Sequence, residues 1–484
     1  MIVFKIDLEK KHKISPYLYM QFMEPLGVAD SSVDVGWDFT ENRWWPMLMD
    51  RVKELAPTMV RWGGSFASYY HWREAVGPRD RRVPMFNHCW GGIYHNQVGT
   101  HEVLDFCRQA NAAPLLVVNM ESEGLKFWQQ PKNDTNRMGT AQEAADWVAY
   151  CNDPENPERL AHGIKAPYNV KYWQIGNETS YGIWKRPGFT VEECYEATAR
   201  FAEAMKAKDS SIHLIGWGDE DLFTKEAWAP TMSRLDQIEM LAFHHHFDSG
   251  LPDSPLNSIQ YRDDLEKTWL HLLNAHKSLD EHIKKMRNDA GNKHLAITEG
   301  HFGLKGRNRC EVLSSWGAGV AYARCLNTIM RHSDVVDIAT MADFFGNVWQ
   351  VNAILVSGVI REHDSGQKCY LQPVGSVMSL FRHHQGEYYL DCSYNGALDA
   401  VCSATENKVY IHVANTDMNY AQELKLDVGG RKIQSAEMFY IAENPATEIT
   451  PLNQEVFAVQ TQPIEGDIVK LPPATVAAIE ITLV

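Results

Sequence analysis

Two short apolar runs, each ending in a carboxylate, set the strongest limit on what this chain can fold into. The first is Val170-Lys171-Tyr172-Trp173-Gln174-Ile175-Gly176-Asn177-Glu178. Its β-branched and aromatic residues suit a buried strand that opens into a loop. Burying an Asn-Glu pair at the end of such a strand is costly unless the pair has a function. The second run is His294-Leu295-Ala296-Ile297-Thr298-Glu299-Gly300. In a barrel of parallel strands the C-terminal strand ends converge, and catalytic side chains sit there.

The remaining strands are present in order. Strand-like runs occupy 17–24, 58–64, 114–119, 212–217, 240–246 and 335–345, which with the two above makes eight. Helical periodicity fills 100–111, 191–208 and 316–331. Strands alternating with helices imply parallel βα units, and eight units imply an α/β fold of the (β/α)8 TIM-barrel type. No Gly-x-Gly-x-x-Gly turn follows the first strand, which argues against a dinucleotide-binding sheet. After about residue 385 short alternating runs replace the helices, at 400–404, 408–414, 423–428, 435–441, 468–471 and 475–483. Turns such as Gly429-Gly430 separate them, the pattern of a C-terminal all-β sandwich. The expected domains are a catalytic barrel over 16–384 and a sandwich over 385–484, joined by the N-terminal strand within 1–15.

Composition narrows the partners. The formal net charge is −16, with no Lys/Arg-rich run, so nucleic acid is not an expected partner. A neutral substrate fits, and the 15 Trp supply either core or flat platforms for a sugar ring. Nine scattered Cys without a Cys-x-x-Cys pair give neither a disulfide framework nor a zinc knuckle. The N-terminus alternates like a strand rather than a signal peptide. No apolar run reaches the ~18 residues of a membrane span. The expected location is cytoplasmic, without membrane attachment.

The strand ends deliver Glu24, the Arg61–Ser65 turn, Asn119, Asn177, Glu178, Trp217, His244 to His246, Glu299 and Asp343 to one mouth. Carboxylates on the fourth and seventh strands face each other across a small barrel. Retaining glycosidases need two carboxyl groups ~5–5.5 Å apart, one to protonate the leaving oxygen and one to attack the anomeric carbon. Burial and mutual repulsion raise one pKa and keep that group protonated as the acid. For Glu24 an ion pair at the barrel mouth is an equally good reading. In His244-His245-His246, strand alternation puts the outer two on one face. Such a pair can ligate a metal, but no third ligand is evident at a matching strand end. Hydrogen bonding to sugar or to Glu299, and packing, are the other readings.

These residues resemble the retaining glycosidases of clan A and, more specifically, glycoside hydrolase family 51, the α-L-arabinofuranosidases. The stretches that carry the likeness are Ile14 to Gly27, with Met23-Glu24-Pro25-Leu26-Gly27, then Arg61-Trp62-Gly63-Gly64-Ser65 to Trp72, then Gly77-Pro78. Asn96-Gln97-Val98-Gly99-Thr100-His101-Glu102 and Gly176-Asn177-Glu178 follow, and the likeness spans nearly the whole chain. The resemblance implies Glu178 as acid/base and Glu299 as nucleophile. It implies that Asn177 bonds the sugar 2-hydroxyl, Glu24 takes hydrogen bonds from sugar hydroxyls, Trp90 rides a stacking loop and His244 is a sugar contact. It further implies an exo-acting furanosidase on oligosaccharides, with no cofactor or metal, assembled as a homo-oligomer, often a hexamer.

The chain departs from the family in the shell around the sugar. Glu24 is followed by Pro25 rather than His. Trp62-Gly63-Gly64-Ser65 replaces Pro-Gly-Gly-Asn or Pro-Gly-Gly-Cys, and Thr298-Glu299-Gly300 replaces Asp-Glu-Trp. His244-His245-His246 replaces His-Tyr-Tyr, and Trp349-Gln350-Val351-Asn352 stands at the Gln-x-x-Asn near the eighth strand. Ser65, His244, His246 and Trp349 are therefore expected in contact with the sugar. The other readings are a different clan A glycosidase (a β-xylosidase, a glucanase or a hydrolase of another furanose), a non-catalytic sugar-binding protein, and a metal-dependent hydrolase.

Overall fold

The computed structural model describes residues 1–121, 138–181, 189–247, 260–302, 310–357 and 368–484. Strand Met20–Met23 pairs in parallel with Met59–Trp62, which pairs with Ala113–Val118 and, through it, with Tyr172–Ile175. His213–Trp217, Met240–Phe247, His294–Phe302 and Val336–Ala339 continue the parallel order. Every residue of Met59–Trp62 is buried, as expected for parallel strands with both faces covered. Helices Thr100–Ala110, Ala141–Asn152, Val191–Lys206, Leu265–Asp289 and Trp316–Arg331 lie between the strands in sequence. Thr190 and Glu193 close a reciprocal capping box at the start of Val191–Lys206. The architecture is a TIM barrel followed by a β-sandwich.

The eighth strand differs from the continuous run expected over 335–345. It is two pieces, Val336–Ala339 and Asp343–Gly346. The first pairs with His294–Phe302 and is bridged to Tyr17, and the second pairs with Met20–Met23 through Asp343 and Phe22. Closing a barrel demands a stagger between the first and last strands. The break at Thr340-Met341-Ala342 lets one strand change neighbours, with Thr340 N–H donating to Ile297 and its hydroxyl to the Ala342 carbonyl. Asp343 thereby reaches the barrel mouth.

The C-terminal strands form a nine-stranded sheet that includes the first strand, Ile2–Lys13. Ile2–Lys13 runs antiparallel to Tyr388–Ser393 and parallel to Gln422–Asp427. Phe4, Ile411, Val413, Leu424, Leu471 and Ile479 are buried in its core. Two strands not expected from the sequence, Tyr388–Ser393 and Gln460–Ile464, complete it. Gln460–Ile464 is mostly exposed, so it carries no apolar alternation to betray it. Helix Trp316–Arg331 ties barrel to sandwich. Trp316 Nε1 donates to the Ala474 carbonyl at 2.7 Å, and Arg331 and Asn327 converge on the buried Asp399.

Candidate active site

The barrel mouth is built outward from a buried cation. Arg61 lies in the strand Met59–Trp62 and is completely buried. Its Nε donates to Gln174 at 2.9 Å, one terminal nitrogen to Glu299 Oε1 at 2.9 Å, and the other to Asn177 Oδ1 at 2.5 Å. One guanidinium thus fixes side chains from the fourth and seventh barrel strands. Such planar, multidentate contacts are what Arg makes and Lys cannot.

His244 is the second organiser. Its Nδ1 lies 2.9 Å from Glu178 Oε1 and 3.5 Å from Glu299 Oε2, and its Nε2 lies 3.0 Å from the Thr298 hydroxyl. A register shift makes this possible. Phe243 faces Ile297, but His244 faces Glu299, so Thr298 is the extra residue of a bulge. Thr298 and Glu299 therefore address the same imidazole. Trp217 packs edge-on against that ring at 4.7 Å. Behind it Asp219 accepts from Tyr181 at 2.6 Å and from His244 N–H at 3.3 Å, and lies 3.0 Å from His282 Nε2.

The two carboxylates meet across this frame. One ligand atom each from Glu178, His244 and Glu299 lie within 4.8 Å of one another. The backbone of Glu178 is left-handed, with φ of 51°, an uncommon state for a non-glycine residue held only where surroundings dictate it. Burial pushes its carboxyl up to about 7, against the pull of Arg61 and with help from the Asp219 charge. Burial also holds Glu299 above its ordinary value, with Arg61, which touches it directly, pulling the other way. The two carboxyls therefore differ in their partners, since only Glu299 is bound directly by the Arg61 guanidinium. His244 is driven down to about 4 by burial, so its ring is neutral and bonds without adding charge.

Glu178, His244 and Glu299 are also the set that could hold a metal ion among the described residues. The buried guanidinium on Glu299 opposes a second cation there, and both ring nitrogens of His244 already face protein oxygens.

The other expected residues surround this centre. Glu24 is buried and accepts from Phe66 N–H at 3.1 Å. Burial and the Glu299 charge hold its carboxyl well above the usual range, with the Phe66 N–H opposing. Gly64, with φ of 150°, admits it, since a Cβ there would lie 2.2 Å from the Glu24 carboxyl carbon. Ser65 is buried at the start of the short helix Ser65–Tyr69. Asn177 Nδ2 is buried without a partner among the described residues. Trp90 and Trp349 are half-buried and meet edge to face at 6.0 Å. His246 is exposed and packs on His301 at 4.6 Å, while His245 points the other way, to His282 and Ser278. The alternation expected of the triple His is thus present. The sequence alone assigns no role to Arg61, Gln174, Thr298 or Asp219. A charged and an amide side chain inside apolar strands were visible signals for the first two; the bulge behind Thr298 leaves none.

Comparison with known proteins places the chain among arabinofuranosidase-like sequences and folds. A family model described as α-L-arabinofuranosidase 1 domain matches residues 51–262, and one described as α-L-arabinofuranosidase C-terminal domain matches residues 305–474. The chain is 35% identical over 251 residues to the α-L-arabinofuranosidase C of Emericella nidulans, covering 48% of this chain and 46% of that protein, about half its length. It is 24% identical over 393 residues to the intracellular exo-α-(1→5)-L-arabinofuranosidase of Acetivibrio thermocellus, covering 75% of this chain and 72% of that protein. The fold matches the solved GH51 arabinofuranosidase from Xanthomonas axonopodis pv. citri with a TM-score of 0.80 at 22% identity, covering 100% of both chains.

Proposed function

The chain belongs to glycoside hydrolase family 51, the α-L-arabinofuranosidase family, and we propose that it is a retaining, exo-acting α-L-arabinofuranosidase that trims terminal sugars from oligosaccharides. The observation that carries this reading is a pair of carboxylates bridged by His244, of which only Glu299 is also bound by Arg61. Glu299, on Arg61, is the nucleophile: its oxygen bonds to the anomeric carbon as the glycosidic C–O bond breaks. Glu178 gives its proton to the departing oxygen in that step. The resulting carboxylate then takes a proton from water, whose oxygen bonds to the anomeric carbon as the ester to Glu299 breaks. Asn177 Nδ2 is free to donate to a sugar hydroxyl, and Glu24, Ser65, Trp90, His244, His246 and Trp349 complete the substrate shell. Exo action is supported by the likeness to the exo-α-(1→5)-L-arabinofuranosidase of Acetivibrio thermocellus.

The test separates the two carboxylates. Glu178→Ala should lose about 10²–10⁴-fold on substrates with poor leaving groups, keep the first step on activated aryl furanosides, and be rescued by azide. Glu299→Ala should be inactive on every substrate. Proton NMR should show the anomeric configuration retained; inversion, or turnover by Glu299→Ala, rejects the assignment. Activity should survive EDTA, since the reading needs no metal, and loss that added metal restores would favour a metal-dependent hydrolase instead.

We also propose a cytoplasmic homo-oligomer, with a hexamer the expected size, and the domain limits 16–384 and 385–484 with 1–15. Among the described residues no helix is long and apolar enough to cross a membrane, and the cysteines are free thiols, as a reducing compartment favours. Light scattering that gives the monomer mass at micromolar concentration would overturn the oligomer.

A further inference from the structure

At the side of the mouth formed by the broken eighth strand, a carboxyl and an imidazole face each other without touching. Asp343 is 4% exposed, and its Oδ1 is buried with no hydrogen-bond partner among the described residues. His301 Nε2 lies 3.9 Å from that oxygen, too far for a hydrogen bond. Asp343 pairs in the sheet with Phe22, two residues before Glu24, and His301 follows Glu299 by two on the same strand. Both therefore flank the two ends of the catalytic arrangement. A buried polar atom left unpaired is costly, so an orphan at this place needs an explanation.

The surroundings hold the pair fixed. Asp30 accepts from the backbone N–H groups of Asn347, Val348 and Trp349 at 2.8, 3.2 and 3.2 Å, and from Asn352 Nδ2 at 2.7 Å. Gly346 makes that approach possible, because a Cβ there would lie 2.1 Å from Asp30 Oδ2. On the other side His301 packs between the rings of His246 and Trp349, at 4.6 and 5.8 Å. Its Nδ1 donates to the Phe302 carbonyl at 2.9 Å. In a neutral ring that leaves Nε2 as a bare acceptor. Burial lowers His301, which keeps the ring neutral. Burial and the nearby Asp30 push the Asp343 carboxyl up to about 8, so it carries an O–H. A donor and an acceptor thus lie 3.9 Å apart, a spacing that a single hydroxyl, able to accept and donate together, can bridge with two hydrogen bonds.

We propose that Asp343 and His301 together clasp one hydroxyl of the terminal sugar and are specificity-determining residues of the enzyme. The proposal rests on the glycosidase reading above. It implies a substrate that carries a hydroxyl at the side of the ring facing the broken strand. A sugar lacking it leaves both groups unpaired and is rejected, since a site built to bond a hydroxyl discriminates strongly against its absence.

The test pairs variants with substrate analogues. The probes are an aryl α-L-arabinofuranoside and its 2-deoxy, 3-deoxy and 5-deoxy analogues, with kcat/KM measured for each. Asp343→Leu should lose about 10- to 100-fold on the parent, yet lose almost nothing further on the one analogue lacking the clasped hydroxyl. His301→Leu should show the same loss on the parent and the same silent analogue, and it serves if Asp343→Leu does not fold. Asp343→Asn, which retains a donor, should stay within a few-fold of wild type. Equal losses on the parent and on all three analogues, or losses that fall silent on different analogues for the two variants, would overturn the clasp while leaving the glycosidase reading intact. A wild-type protein inactive on every furanoside would overturn both.

Discussion

The floor and the rim of the barrel mouth are built on opposite plans. On the floor, polar atoms are spent on one another: Arg61 binds Gln174, Glu299 and Asn177, and His244 binds Glu178 and Thr298. On the rim, the indole N–H of Trp90 and one oxygen of Asp343 lack partners among the described residues, and His246 stands exposed. Asn177 belongs to both, with its oxygen tied to Arg61 and its nitrogen open. A floor satisfied before substrate arrives has no reorganisation to perform during the reaction, which is where electrostatic stabilisation is strongest. An unsatisfied rim gains its partners only from the right ligand, which is how discrimination arises. Of the departures from the family pattern, His246 and Trp349 fall on the rim, while Thr298 belongs to the floor.

The sharpest way to break this contrast is to break the floor. Arg61→Leu leaves Glu299 buried without its cation and frees Asn177. Removing one partner of a buried pair costs ~3–5 kcal/mol, and losing a preorganised donor typically costs ~10²–10³-fold in rate. We expect kcat/KM to fall by about 10³-fold with a lower Tm, and Arg61→Lys to recover only part of the rate. Titration sharpens the contrast next. Glu178 must be protonated to act, so activity should fall as pH rises through about 7. Asp219→Asn removes a negative charge that helps to hold Glu178 up. The basic limb should then move to lower pH, and an unmoved limb would mean that Asp219 only shapes the site.

The floor and the barrel were legible in the sequence to different degrees. The repeated strand–helix alternation gave the fold class, because parallel strands are uniform apolar runs that stand out. Glu178 and Glu299 stood out for the same reason, as charges ending such runs. Arg61 and Gln174 were visible as misfits within strands, but which side chains they would join depends on barrel closure and cannot be had from local pattern. The break in the eighth strand and the bulge at Thr298 arise from the stagger between distant strands. Helix Leu265–Asp289 hid because its mean composition is polar, although Trp269, Leu272, Leu279 and Ile283 are buried at helical spacing.

At the rim, effects should be smaller. Trp349→Ala removes an aromatic wall that meets Trp90 and His301. An aromatic contact is worth ~0.5–1.5 kcal/mol beyond its area, so we expect KM to rise by up to about 10-fold with kcat nearly unchanged. A loss in kcat as large as that of Arg61→Leu would erase the distinction between rim and floor.

The smallest catalytic effect is expected at the seam between barrel and sandwich. Asp399 is buried and takes hydrogen bonds from Arg331 at 2.6 Å and Asn327 at 3.0 Å, with Arg324 at 3.4 Å. Asp399→Ala leaves those donors facing a gap, and Arg331 is only about a third exposed. A charged hydrogen bond contributes ~1.5–3 kcal/mol, so Tm should fall by several degrees while kcat and KM stay within twofold of wild type, about the scatter of a neutral change. The seam also predicts an acid response. Burial alone raises the Asp399 carboxyl, but Arg331 and Arg324 outweigh it and hold the group below its ordinary value. A carboxyl depressed in the folded state contributes stability above its unfolded pKa, and that contribution is lost as the pH falls through the folded value. Wild type should therefore lose Tm more steeply below about pH 4 than Asp399→Ala does. Parallel curves for the two proteins would show that the seam is held by packing rather than by this charge.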